Sequence, residues 1–318
     1  MVKIVNKLPK TRQDLINEYI KCLEEGNIPW EKMWMTNIPI NGVTGIEYNG
    51  INNLYLSYIS LKRNYKENRW ITYNQMKKNK WNFIKDAKGQ GIPVEYWGMK
   101  NKETNRIISF NEYNKIIEQD PDKEKDYKLS RMSYIVFNGD LIDGLINNPP
   151  TRNKEIINNE YISNIIKNLK VSYFEKGDEA YYNPIKDEVI LPPSNSFKTV
   201  YSYYATQLHE LAHATGHESR LNRKIKETFA SEEYAKEELR AEICSSFLMQ
   251  KFHLEADSKH LKNHKAYVKN WLDILKQNPQ ELFNAISDAN KIASYLEDKS
   301  LSKNKEKINE IDMEVEYA

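Results

Sequence analysis

Residues 209–217 read "HELAHATGH", three histidines and a glutamate within nine positions. On a helix His209 and His213 stand four apart on one face, so both imidazoles can converge on a single tetrahedral cation, with Glu210 beside them to act on its water. This HExxH pattern points to metal-assisted hydrolysis with Glu210 as general base. His217 would lie roughly 12 Å further along such a helix than His209, too far for both rings to reach one ion, and Gly216 is a natural stop just before it. His217 therefore reads as a capping or substrate-side residue. In one class of HExxH proteases a third ligand follows three residues after the glycine. Here that position is Ser219, which excludes the class.

A third ligand has to come from another element, and the segment "EELRAE" offers Glu238 and Glu242, again four apart on one helical face. A gluzincin-like site uses such a pair, one carboxylate on the metal and the other on a ligand histidine, whose tautomer it fixes. We assign Glu238 as the ligand and Glu242 as the histidine's partner, with exchange of the two roles as the alternative. Glu237 points about 100° away around the helix and is the weaker candidate. Three protein ligands leave a fourth position open, as in catalytic rather than closed structural zinc sites. The expected cofactor is thus one Zn2+ per chain, another divalent ion being the alternative. A two-metal nuclease would call for a carboxylate-rich cluster instead of this motif.

Helices must carry these side chains, and the apolar spacing supplies them. Helices are expected near 197–216, 233–251, 258–277 and 279–297, preceded by a helix at about 155–168 and two strands joined by the turn "NPIKD". In the first half, Leu15, Ile16, Tyr19, Ile20 and Leu23 define a helix over 12–25, and a second apolar helical pattern starts near Asn53. "RWITY" and "WNFI" read as strands flanking a short helix, "KDAKGQG" as a loop, and "IPVEYW" and "RMSYIVFN" as strands separated by a charged loop at 119–130. The fold class expected is α+β. A mixed α/β domain over 1–150 ends at the linker around Pro149, a mainly helical domain with a small sheet follows over 151–298, and 299–318 form a polar tail.

Charge separates the two halves. Residues 1–150 hold 23 Lys/Arg against 18 Asp/Glu, and residues 62–106 hold twelve against four, while the remainder is net acidic. A polyanion partner for the first half follows. Single-stranded nucleic acid is held by cations along its backbone and by rings under its bases. Here Trp30, Trp34, Trp70, Tyr73, Trp81, Tyr96 and Trp97 alternate with Lys77, Lys78, Lys80, Lys85 and Lys88. The competing reading is that a tryptophan in a strand is core and a lysine merely a solvated face. "YNGIN" is a candidate backbone-binding turn, with Gly50 between Asn49 and Asn52 letting the main chain approach closely. The DNA candidates are accordingly Asn49, Gly50, Asn52, Trp70, Tyr73, Lys77, Lys85, Lys88 and Trp97. Cys22 and Cys244 are too few for a disulfide framework, and no apolar run suggests export or a membrane span, so the expected compartment is the cytoplasm.

Taken together, "VTGIEYNGIN", "RWITYNQMKK", "KGQGIPVEYW", "YYNPIKDEVILPP", "YYATQLHELAHATGHESRLNR" and "YAKEELRAE" resemble ArdC-type antirestriction proteins over nearly the whole chain. The "QG" that follows Lys88 and Gly89 departs from the family pattern. The resemblance implies an N-terminal single-stranded-DNA-binding domain, a C-terminal zincin-like metallopeptidase domain and a mobile-element protein that protects incoming DNA from restriction. It also implies that Tyr181, Tyr182 and His217 lie near the site as candidate substrate or transition-state contacts. Two functions stay open: a DNA-binding zinc metallopeptidase acting on a protein that the sequence does not identify, or a non-proteolytic single-stranded-DNA shield whose metal domain is structural or a docking module.

Overall fold

A computed structural model describes residues 8–26, 37–146, 160–223, 231–252 and 265–301. In chain order these form α1 (Lys10–Glu24), β1 (Ile40–Asn41), α2 (Gly50–Lys62), β2 (Arg69–Thr72), α3 (Tyr73–Lys78), β3 (Ile92–Asn101), β4 (Ile107–Ile108), α4 (Phe110–Gln119), β5 (Tyr127–Asn138) and α5 (Asp143–Ile146). Then come α6 (Glu160–Leu169), β6 (Ser172–Glu175), β7 (Tyr181–Asn183), β8 (Glu188–Leu191), α7 (Val200–Ala214), α8 (Glu232–Lys251), α9 (Lys265–Gln277) and α10 (Gln280–Ser300). The class is α+β, as expected.

Two compact units divide the chain, and neither is continuous. One takes Met1–Pro39, Glu47–Asn68 and Pro150–Ala318; the other takes Ile40–Ile46 and Arg69–Pro149. α1 and α2 fold with the C-terminal helices instead of with the N-terminal sheet. The reason is apolar. Leu15, Ile16, Tyr19 and Leu23 form a buried stripe on α1, packed on α9, and α2 is apolar on most of its circumference, with Leu54, Tyr55, Leu56 and Ile59 buried. A helix of that composition needs a helical core, and α10 supplies it.

In this helical unit α8 is central, packed by α7, α9 and α10. Its Leu239, Ile243 and Leu248 meet an interior that includes Leu208, Leu211, Trp271, Leu282 and Ile286, all buried. Trp271 Nε1–H donates to the Ala235 carbonyl at 3.0 Å. A buried polar cluster ties α2 to α8: Asn53 Nδ2 donates to Gln250 Oε1 at 2.9 Å, and Gln250 Nε2 donates to Ser57 Oγ at 3.2 Å. A three-stranded sheet of order β6-β8-β7, with β7 on the edge, lies against α7. The third strand, β6, pairs parallel with β8 and was not expected.

The other unit is a five-stranded sheet of order β1-β2-β5-β3-β4. Its spine is the β3–β5 ladder, which runs antiparallel from Ile92↔Val136 to Asn101↔Tyr127. Thr72 at the end of β2 and Gln75 form a capping box that starts α3. "WNFI" is not a strand: only Phe83 bridges, to Ile142, and Trp81 sits where any side chain at Gly144 would collide with its indole. α4 and β4 were not expected, and β5 starts inside the supposed charged loop. Three turns use one device, an asparagine whose Oδ1 accepts the amides two and three residues on. These are Asn41, Asn101 and Asn183, each followed four residues later by left-handed Gly45, Asn105 or Asp187. The expected linker, Trp30, Trp34, the starts of two helices (155–159 and 258–264) and the tail beyond Leu301 lie outside the described residues.

Replacing Asn53 with Ala strands part of the Gln250 amide in the helical core. We expect a loss of about 1–3 kcal/mol, read as a shift of the helical unit's transition in denaturant melts.

Candidate metal centre

Thr199 opens α7 with a capping box to Ser202, and the helix then carries His209 and His213 on one face one turn apart. α8 crosses that face. The two Nε2 atoms lie 3.0 Å from each other. Glu238 lies against both, with Oε2 at 3.3 Å from His209 Nε2 and Oε1 at 3.4 Å from His213 Nε2. Among the described residues these three form the group with ligand-type atoms within 4.8 Å of one another. A tetrahedral ion with bonds of 2.0–2.1 Å needs donors about 3.3 Å apart, which is the size of this triangle. Two imidazole nitrogens facing each other at 3.0 Å also demand a proton or a cation between them. The donor set fits a divalent metal.

Each histidine has its own carboxylate behind it. Glu242 Oε1 lies 3.2 Å from His209 Nδ1, and Glu237 Oε1 lies 3.4 Å from His213 Nδ1. Glu238 rather than Glu242 therefore faces the Nε2 pair, while Glu242 takes the tautomer-fixing position. Glu237 was judged the weaker candidate because of its angle around α8, yet that angle is what brings it behind the second histidine. Arg223 holds it there, with Nη2 at 2.7 Å from Glu237 Oε1, and with further bonds to Thr215 Oγ1 at 2.6 Å and the Ala212 carbonyl at 2.9 Å. Sequence spacing carries a partial signal: carboxylates at i, i+1 and i+5 on one helix facing histidines at i and i+4 on another. Arg223, ten residues beyond His213, carries none.

The electrostatics follow from burial and pairing. Burial alone would depress the histidines, but Glu242 and Glu238 raise His209 well above the ordinary imidazole value, and Glu237 and Glu238 raise His213 to about 9. Burial alone would raise the carboxylates, yet His213 and Arg223 bring Glu237 down to about 2, and the two histidines hold Glu238 far below the usual range. Glu210 goes the other way. It is buried beside the histidines but outside the triangle, and burial raises its pKa against the pull of His209, His213 and the Tyr182 backbone amide.

That amide belongs to the edge strand β7, which is fastened close to the site. Arg220 makes a two-pronged pair with Asp187, both contacts at 2.7 Å, and also reaches the Ala214 carbonyl at the end of α7. Tyr182 OH donates to Asp187 Oδ1 at 2.8 Å, so its hydroxyl serves this clamp and is not free for a substrate oxyanion. His217 Nδ1 meets Ser219 Oγ at 2.8 Å and accepts from the Ser219 amide at 3.2 Å, both contacts local to the turn after α7. Tyr181 is exposed on β7.

The DNA candidates scatter. Trp70 is 0% exposed, closed to any base. Asn49, Gly50 and Asn52 begin α2 in the helical unit, and the Gly50 amide donates to Asn290 Oδ1 at 3.0 Å. The left-handed glycine, φ +54°, thus serves helix packing. Tyr73, Lys77, Lys85, Lys88 and Trp97 are exposed in the sheet unit.

Comparison with known proteins gives two family matches. Residues 9–137 match the N-terminal domain of anti-restriction factor ArdC, and residues 160–288 match a zincin-like metallopeptidase family. A DNA primase TraC of Escherichia coli is 34% identical over 89% of the chain, and a second TraC is 36% identical over 87%, but the chain spans only 27% and 19% of their lengths. The uncharacterized protein y4eC of Sinorhizobium fredii is 28% identical, with 92% of the chain and 94% of that protein covered. Two crystal structures of the antirestriction ArdC protein from R388 plasmid, one metal-free and one Mn(II)-bound, share the fold. Their TM-scores are 0.70 and 0.69 and their identities 28% and 29%, over 92% of this chain and 98% of theirs.

Purified protein is expected to bind about one divalent ion per chain, and His213→Ala to abolish loading by elemental analysis. Glu237→Gln should retain the site but weaken it about 10- to 100-fold. Since the imidazoles must be neutral to ligate, protons compete below the raised His213 pKa of about 9. Affinity by calorimetry should therefore rise with pH toward that value, about tenfold per pH unit for each proton displaced.

Proposed function

Because the chain belongs to the ArdC-type antirestriction family, uniting that family's N-terminal domain with a zincin-like metallopeptidase domain, we propose that it is a zinc-dependent peptidase that also binds single-stranded DNA. The observation carrying the peptidase reading is Glu210, held beside the ligand triangle without belonging to it. His209, His213 and Glu238 would hold the ion. When bound, it supplies Lewis acidity to a water and to the scissile carbonyl. Zinc suits two imidazoles and a carboxylate, and at equal geometry it binds such donors more tightly than manganese does; the Mn(II)-bound relative supports a site open to several divalent ions.

The chain's own residues do the rest. Glu210 accepts the proton of the attacking water and returns it to the departing amine nitrogen. Burial favours this by strengthening its basicity. Glu242 and Glu237 keep the two imidazoles in the tautomer that points Nε2 inward. Among the described residues β7 is an edge strand, to which an extended substrate would add through main-chain hydrogen bonds beside the Tyr182 amide that Glu210 engages, and the Asp187–Arg220 clamp fixes that edge against α7. Exposed Tyr73 and Trp97 among exposed Lys77, Lys85 and Lys88 support the DNA reading. Among the described residues no helix is long and apolar enough to cross a membrane.

Glu210→Gln separates peptidase from shield. We expect metal loading and oligonucleotide binding to persist, and hydrolysis of a candidate host protein to fall by at least about 100-fold. Protection of incoming DNA is scored in the same cells; unchanged protection by the variant would leave the shield as the working function.

A further inference from the structure

The β3–β5 ladder buries one face and leaves the other open. Alternation turns Ile92, Val94 and Val136 inward, all buried, while Trp97, Ile135 and Leu129 on the opposite face are 40%, 50% and 57% exposed. Register sets Trp97 directly across from Arg131 and Pro93 across from Ile135, so their side chains share that face. Toward β2 the same face continues as a chain of rings. Phe137 meets Phe83 edge-on at 4.6 Å, Phe83 stacks on Tyr73 at 6.2 Å, and the Lys77 ammonium lies 5.3 Å from the Tyr73 ring centre. Gly91 makes this possible: a Cβ there would fall 2.5 Å from Ile135 Cγ2 and 3.0 Å from the Phe137 ring.

Large apolar side chains left in water on a sheet face mark an interaction surface, and charge identifies the occupant. The one carboxylate that β3 and β5 place on this face is Glu95, which is buried and paired with Arg131 at 3.2 Å. Lys77 lies over the Tyr73 ring, and exposed Lys85 and Lys88 belong to the loop that joins Phe83 to Gly91. A cationic surface carrying exposed rings suits unpaired bases on a phosphate backbone. A duplex hides its base faces, and an apolar protein partner would leave the lysines unmatched.

We propose that the open face of β3 and β5, from Tyr73 to Trp97, is the track of a single-stranded polynucleotide. Bases stack on Tyr73 and Trp97, and phosphates run past Lys77 and the loop lysines Lys85 and Lys88. This placement rests on the DNA reading above. Two strand spacings across the sheet and four residues along it separate the two rings by about 16 Å, close enough for one short oligomer to touch both. Stacking is indifferent to base identity, so the track distinguishes single strands from duplex and not one sequence from another.

The test is fluorescence anisotropy of the full chain with a labelled oligothymidylate of about 15 nucleotides, within the range one stacking domain covers. Tyr73→Ala and Trp97→Ala are each expected to weaken binding about five- to a hundredfold, and Trp97→Tyr to restore most of it. Ile135→Glu, which sets an anion in the middle of the track at a half-exposed position, should weaken binding comparably. Lys77→Gln should reduce the slope of log affinity against log salt by about 0.7. Circular dichroism confirms that each variant is folded. If the wild type binds and every folded variant stays within twofold of it, the track is elsewhere while DNA binding stands. If the wild type does not bind, or binds blunt duplex equally, both readings fall.

Discussion

Two histidine nitrogens 3.0 Å apart at a buried helix crossing need a proton or a cation between them. Everything in the helical unit near α7 and α8 answers that constraint. Glu238 supplies negative charge to both nitrogens, Glu242 and Glu237 fix the far sides of the rings, and Arg223 pins Glu237 to the carbonyl end of α7. The crossing thus gathers four carboxylates, counting Glu210, against one permanent cation. Two further positive charges bring it close to neutrality. Burying a partly matched set of this kind is costly, and a divalent ion is one occupant that would supply both charges.

The same arrangement suits Glu210, and not its neighbours, to the base role proposed for it. Glu237 and Glu238 are held ionised by partners at close range. Glu210 has burial as its dominant influence, so its affinity for a proton rises where theirs falls. Environment alone thus suits otherwise identical side chains to the ligand, orienting and base roles proposed for them.

A second fastening builds the strand edge to which the substrate is assigned. Asp187 adopts a left-handed backbone in the β7–β8 turn, and its carboxylate reaches Arg220, itself bonded to the last turn of α7. The edge strand and the helix carrying the histidines are therefore fixed to each other by a charged pair, not by packing alone. In the sheet unit Gly91 has a comparable part, since its missing side chain lets Ile135 and Phe137 lie side by side and makes an open face continuous.

The HExxH spacing and the Glu238–Glu242 spacing anticipated which side chains meet where α7 and α8 cross, because a period of 3.6 residues leaves little freedom one turn apart. The apolar stripes of α1 and α8 and the alternation of β3 were legible for the same reason, local periodicity. What the sequence could not decide was long-range. The 100° offset that argued against Glu237 became an asset once α8 crossed α7 at a particular height. Trp70 and Trp97 are alike as residues, and only sheet parity and packing bury one and expose the other. Gly50 was read as a turn for a ligand, and it is α10, about 240 residues away in sequence, that takes its amide. The membership of α1 and α2 in the helical unit was equally out of reach: an amphipathic stripe states that a partner exists, and only the assembled core states which one.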